Sequence, residues 1–165
     1  MQVIPFLKQL TAGGYLAAAS VTDIRTKSVP KWLLLLAGLT ETLLLAAETA
    51  MVLQQTAPGD LRQRLTEGLL SRVPAFVPGV LFLLLFFFAK EQVGCADGLS
   101  LLILGAALTP AGIWLALCMA LLIAFFYAAF LLILKKGTRK NRLPFLPFLT
   151  AGTVIASLLL TNSTL

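Results

Sequence analysis

Residues 98–134 read GLSLLILGAALTPAGIWLALCMALLIAFFYAAFLLIL, a run without a single charged side chain. A helix crosses the bilayer with about 20 apolar residues, so this run is too long for one crossing. It is punctuated at Pro110-Ala111-Gly112, where proline removes a backbone donor and glycine permits a turn. A short span 4 followed by a full span 5 is therefore expected.

The same reading extends outward in both directions. Span 1 is expected over about 3–22, span 2 over 32–53, span 3 over 73–89 with Pro74 and Pro78 near its start, and span 6 over 147–161. The whole chain of 165 residues is 59% hydrophobic and only 12% charged, with a mean hydropathy of +0.94. A soluble globule is about half apolar and about a quarter charged. The expected fold is all-α, a polytopic membrane helix bundle of about six transmembrane helices forming one domain over 1–165. The polar stretch 54–72 carries Leu61, Leu65, Leu69 and Leu70 at helical spacing, so it reads either as a helix lying on the membrane surface or as a solvated loop. Ala17-Ala18-Ala19 offers a small-residue cleavage site. The N-terminus nevertheless lacks a basic leader region and Lys8 interrupts the apolar stretch, so residues 1–22 read as a retained first span.

The net charge of +6 is concentrated in two clusters. One is Arg25, Lys27 and Lys31; the other is Lys135, Lys136, Arg139, Lys140 and Arg142. Both are short and flank spans, which fits positive-inside topology and attraction to anionic lipid rather than a nucleic-acid partner. The rule places 23–31, 90–97 and 135–146 in the cytoplasm and both termini outside. The opposite face carries Arg62, Arg64 and Arg72, with Lys8 near the terminus. Histidine is absent and the cysteines are two, Cys95 and Cys118, without a CxxC pair. A zinc ribbon or thiol redox centre is thus excluded, no cofactor is expected, and any metal would rest on carboxylates alone. Cys118, mid-span, reads as a small apolar packer, and Cys95 has no histidine to serve as its base.

Two aspartates lie at span ends, Asp23 after span 1 and Asp97 before span 4, and the topology puts both on the cytoplasmic side. An ionisable group in or beside a span costs insertion energy, about 2.5–3.5 kcal/mol at the helix centre and less at the interface. Taken singly, Asp97 reads equally as a helix N-cap and Asp23 as an interfacial charge paired with Arg25 or Lys27. Taken together they suggest a carboxylate pair in which one acid keeps its proton, the arrangement that hydrolyses a peptide bond without a covalent intermediate. The helix dipole favours Asp97 as the anion and Asp23 as the acid. Glu41 and Glu48, seven apart on span 2, share a face. They are expected to turn inward and bond hydroxyls such as Thr40, Thr42 or Thr49, with Glu48 near the outer interface. The alternative is an ion path through the bundle.

Three segments resemble motifs of the type IV prepilin peptidases, a family of aspartic membrane peptidases. Asp23-Ile24-Arg25 with Pro30 is similar to the family's D-hydrophobic-R…I-P-N. Gly94-Cys95-Ala96-Asp97, with Leu101, Leu102 and Gly105, is similar to G-x-G-D…L-x-x-x-x-G. Leu143-Pro144-Phe145-Leu146-Pro147-Phe148-Leu149, with Gly152, is similar to P-F-x-P-x-L…G. The resemblance implies Asp23 and Asp97 as the catalytic pair, and Arg25, Pro30, Gly94, Ala96, Gly105, Pro144 and Pro147 as residues that bind substrate or shape the site. It implies a prepilin-like protein substrate, cut after a glycine on the cytoplasmic face of the bacterial inner membrane. Lys31, Ala96 and Leu99 depart from the family's asparagine, glycine and lysine. With Cys95 and Cys118 alone the chain cannot build the tetracysteine zinc site of longer members, so N-methylation of the product is not expected.

Overall fold

The structure, a computed structural model, describes residues 3–26, 28–54, 60–88, 94–134 and 144–162. These form six helices and no strand: α1 Val3–Thr26, α2 Lys31–Gln54, α3 Leu61–Phe88, α4 Cys95–Ala107, α5 Pro110–Ile133 and α6 Leu146–Asn162. Within them, Lys31–Gln54, Arg62–Phe88 and Pro110–Ile133 are long and apolar enough to cross a membrane by themselves. The chain is a membrane protein on that evidence. Leu35 is 73% exposed, Phe88 88% and Ile133 79%, surfaces that call for hydrocarbon rather than water. α4 has 13 residues and α6 has 17. At 1.5 Å of rise per residue α4 extends only about 20 Å, short of the roughly 30 Å hydrocarbon core.

The break at Pro110 falls where expected. Leu108 closes α4, and Thr109 caps α5 by accepting from the Gly112 N–H at 3.2 Å, with Pro110 as the first helical residue. Proline suits that position because its missing N–H would have no partner there anyway. The segment 54–72 is different. It is neither a separate surface helix nor a loop within the described residues. Residues from Leu61 onward run straight into span 3 as one helix through Pro74 and Pro78. This continuity has a physical cost at Pro78, which has no N–H to offer the carbonyl of Pro74 four residues earlier. The indole N–H of Trp114 on α5 takes that carbonyl instead, at 3.1 Å. In lipid a freed backbone acceptor must be satisfied from a neighbouring helix.

Helices α3 and α4 pack antiparallel through small residues. A Cβ at Gly105 would stand 2.6 Å from the Ala75 carbonyl oxygen, one at Gly79 2.7 Å from the Leu102 side chain, and one at Gly98 2.8 Å from that of Leu83. Ala75, Gly79 and Leu83 are successive turns of α3, so the two backbones touch along a stripe that admits no larger side chain. Gly152 on α6 seats against the backbone of Ala116 and Ala120 on α5 in the same way. α1 lies at the centre, packed on α2, α4 and α6. Its buried residues Ala12, Tyr15, Leu16 and Ala19 join Leu101, Leu104, Leu146 and Leu149 in one core. Cys118 faces outward from α5.

Away from the aspartates, three helices meet through charge. Lys8 is 2% exposed. It donates to Glu48 of α2 at 2.5 Å and to the Ala106 carbonyl at the end of α4 at 3.1 Å. Arg72 of α3 holds the other Glu48 oxygen at 2.5 Å. Glu41 turns inward, as expected, but its partner is Thr11 of α1 at 2.5 Å. Thr40, Thr42 and Thr49 bond carbonyls of their own helix. Glu48→Ala would leave Lys8 buried without its counter-charge. Breaking one side of a fully buried pair costs about 3–5 kcal/mol, and less where one partner is 27% exposed, as Glu48 is; the expected outcome is a clear drop in the thermal midpoint of the purified protein, whereas Thr49→Ala should barely move it.

Candidate active site

The ends of α1, α4 and α6 converge on the two aspartates. α1 does not stop at Asp23 but runs one turn further, to Thr26, which keeps Asp23 on the inward face. Its side chain is 8% exposed. One carboxylate oxygen, Oδ2, is buried without a hydrogen-bond partner, and the backbone N–H of Leu146 favours the anion. Leu146 is the first residue of α6, so the positive end of that helix faces Asp23. Among the described residues the ion pairs are Lys8–Glu48 and Arg72–Glu48. Arg25 stands exposed on the last turn of α1 and does not pair with Asp23. Lys27, Lys90, Leu143 and the cluster from Lys135 to Arg142 lie outside the described residues.

The segment Pro144 to Leu149 is what brings α6 to this place. Leu146 and Leu149 are fully buried. The Phe145 ring stacks on Phe82 of α3 with centroids 5.4 Å apart, and Phe148 meets Tyr127 of α5 at 5.4 Å. Pro147 is the second residue of the helix, where it sacrifices no hydrogen bond. Pro144 lies just ahead of the helix and is half-buried. Both prolines therefore shape the approach of α6 to Asp23. Pro30 serves α2 comparably, its carbonyl accepting from the N–H groups of Leu33 at 3.0 Å and Leu34 at 3.4 Å.

Asp97 is not the N-cap of α4. Gly94 holds that position in extended conformation, and Asp97 is three residues on. Its N–H donates to the Gly94 carbonyl at 3.1 Å, and the Gly94 backbone N–H in turn favours the Asp97 anion. This is half of a capping box closed by an acid. It also explains the glycine. A Cβ at Gly94 would stand 3.0 Å from Asp97 Oδ2, so the space at Gly94 is filled by the carboxylate of the chain itself rather than left for a substrate strand. Ala96 offers its carbonyl to Ser100. Gly105 lies eight residues beyond Asp97, about 12 Å along the helix. It packs on α3 and takes no part in the carboxylate site.

Both acids stand just beyond the apolar stretches of their helices. Burial raises Asp97, the charge of Asp23 raises it further, and together they carry it from 3.8 to about 6 against the opposing effect of the Gly94 N–H. Burial raises Asp23 as well. The two carboxyls thus belong to one electrostatic site on one end of the bundle, and the pair titrates as a unit. The dipole argument from sequence gave Asp97 the negative charge. The structure adds a second helix end to that argument: the N-terminus of α6 meets Asp23, a neighbour that local sequence does not reveal.

Among the described residues, no group of three or more His, Cys, Asp or Glu gathers to hold a metal ion. A cavity of about 240 Å³ opens between α1, α4 and α6, lined by residues such as Gln9, Gly13, Leu104 and Thr153; neither aspartate lines it. The inward-facing Lys8 and Tyr15 went unremarked as partners in the sequence, although their spacing to Asp23 in steps of seven and eight places all three on one face of a helix.

Two outcomes are expected from titration. In the infrared, the protonated-carboxyl band removed by Asp97→Asn should fade around pH 6, and Asp23→Asn should lower that midpoint without returning it to 3.8, since burial is the larger cause. The folded chain also holds a proton that the unfolded chain has released between about pH 4 and 6, so stability falls as pH rises through that window. Asp97→Asn should flatten that slope in melts of the purified protein. Compared with known proteins, the chain matches no family model, no curated protein and no solved structure.

Proposed function

We propose that this protein is an aspartic-type endopeptidase of the bacterial inner membrane that removes the leader of type IV prepilin-like precursors on the cytoplasmic face. The observation that carries the reading is the electrostatic coupling of Asp23 and Asp97 across two helices. The sequence resemblance around both acids and around Pro144 and Pro147 supplies the substrate class.

The chemistry divides two proton transfers between the pair. Asp23, facing the N-terminus of α6, serves as the base and takes a proton from the attacking water. Asp97, neutral up to about pH 6, gives its proton to the carbonyl oxygen of the scissile bond. The C–N bond of the resulting tetrahedral diol then breaks as Asp23 passes the water-derived proton to the leaving amine nitrogen and Asp97 takes a proton back from a diol hydroxyl. No covalent enzyme intermediate forms, and both carboxyls end the cycle in their starting states. Arg25, exposed on the last turn of α1, is free to meet the acidic or carbonyl groups of an incoming chain, while exposed Trp32 and Leu99 stand on the lipid-facing rim of α2 and α4.

A second reading rests on Glu41. It is 1% exposed, with one carboxylate oxygen buried and without a hydrogen-bond partner, which suits an ion or solute path through the bundle. The two readings part on simple substitutions. A peptidase loses at least about 100-fold in rate with either Asp23→Asn or Asp97→Asn while Glu41→Gln still cuts. The assay is purified protein with a synthetic leader peptide spanning the glycine junction, read by mass. Cleavage that survives both aspartate changes, or flux in proteoliposomes abolished by Glu41→Gln with no cleavage by the parent, overturns the peptidase reading.

A further inference from the structure

Deep in the bundle, the Tyr15 hydroxyl of α1 and Ser100 Oγ of α4 lie 2.6 Å apart. Tyr15 is 6% exposed and Ser100 not at all. The direction of the bond is fixed by counting protons. A serine hydroxyl has one hydrogen, and that of Ser100 goes to the Ala96 carbonyl one turn back, at 2.7 Å. Tyr15 therefore donates and Ser100 accepts. The three groups form a chain, from the Tyr15 hydroxyl through Ser100 to the peptide immediately before Asp97.

This chain spans the two helices that carry the acids. Tyr15 lies two turns before Asp23 on the same face of α1. Ser100 lies one turn after Asp97 on α4. The first turn of α4 has few other polar ties, for Gly94 makes no side-chain cap and has no side chain to give one. Of the titratable groups on the surrounding helices, those that bear on Asp97 are Asp23 and Tyr15, both on α1.

We propose that Tyr15 is a positioning residue which, through Ser100 and the Ala96 carbonyl, holds the first turn of α4 against α1 and so sets the distance between Asp97 and Asp23. This deepens the peptidase reading and rests on it for its catalytic consequence. Its structural half stands alone. Without the bond the first turn of α4 loosens toward water, Asp97 is better solvated and gives up its proton at lower pH, and the two acids no longer share one site.

The test uses Tyr15→Phe in the full chain, with Ser100→Ala as the second variant. Phenylalanine keeps the ring in the core and leaves Ser100 bonded to Ala96, so no polar group is stranded. Two readouts are taken. In the first, a hydrophobic carbodiimide, which reacts with protonated carboxyls, is applied to protein in micelles across a pH series, and modification of Asp97 is measured by peptide mass. The midpoint should fall by about half a pH unit or more in both variants. The second readout is cleavage of the leader peptide, where kcat should fall about tenfold to a hundredfold with KM unchanged. If the parent protein cuts nothing but the midpoint still shifts, the peptidase reading fails and the positioning role stands. If Tyr15→Phe keeps the parent midpoint and the parent kcat, the proposal is overturned. A lower melting temperature with both readouts unmoved overturns it equally, since that is what a merely structural bond would give.

Discussion

Hydrocarbon offers no hydrogen bonds, so every polar group carried into it has to be answered by another part of the chain. In this bundle the answers converge on one face of α1. Lys8, Thr11, Tyr15 and Asp23 follow each other at helical spacing, and each is met by a different neighbour: Glu48 of α2, Glu41 of α2, Ser100 of α4 and the N-terminus of α6. The remaining packing is arranged around this requirement. The short-range approach of α3 to α4 through Gly79, Gly98 and Gly105 brings backbones together where lipid supplies no hydrophobic drive, and α5 and α6 close by the same means at Gly152.

Much of the architecture was legible from hydropathy because a membrane imposes a coarse and strict rule on length and polarity. The break at Pro110 and the all-helical class follow from proline, glycine and apolar run length. The extent of α3 was not legible. Its N-terminal half is polar and its apolar half begins with two prolines, which argue for a boundary. The helix continues because Trp114, distant in sequence, satisfies the carbonyl that Pro78 leaves free. A pattern read along the chain cannot see a donor that arrives from across the bundle.

The site divides in the same manner. That Asp23 and Asp97 share one end of the bundle follows from counting spans. That the N-terminus of α6 reaches Asp23 does not, because that approach is fixed by Phe145 on Phe82 and Phe148 on Tyr127. Gly94 makes room for the carboxylate of Asp97 in the same turn.

The shortness of α4 has a mechanical corollary. This helix cannot reach both surfaces of the bilayer, and α1 grips it at two points, at Ala106 near its end by Lys8 and at Ser100 near its middle by Tyr15. α1 thereby acts as a gauge that fixes the depth at which α4 sits. Inserting or deleting a single residue in α1 between those two grips would turn one of them by about 100° around the axis, and α4 would have no depth at which both could be kept. A change of length would have to fall in the links between helices, and the spacing from Lys8 to Tyr15 is as much a part of the site as the acids it serves.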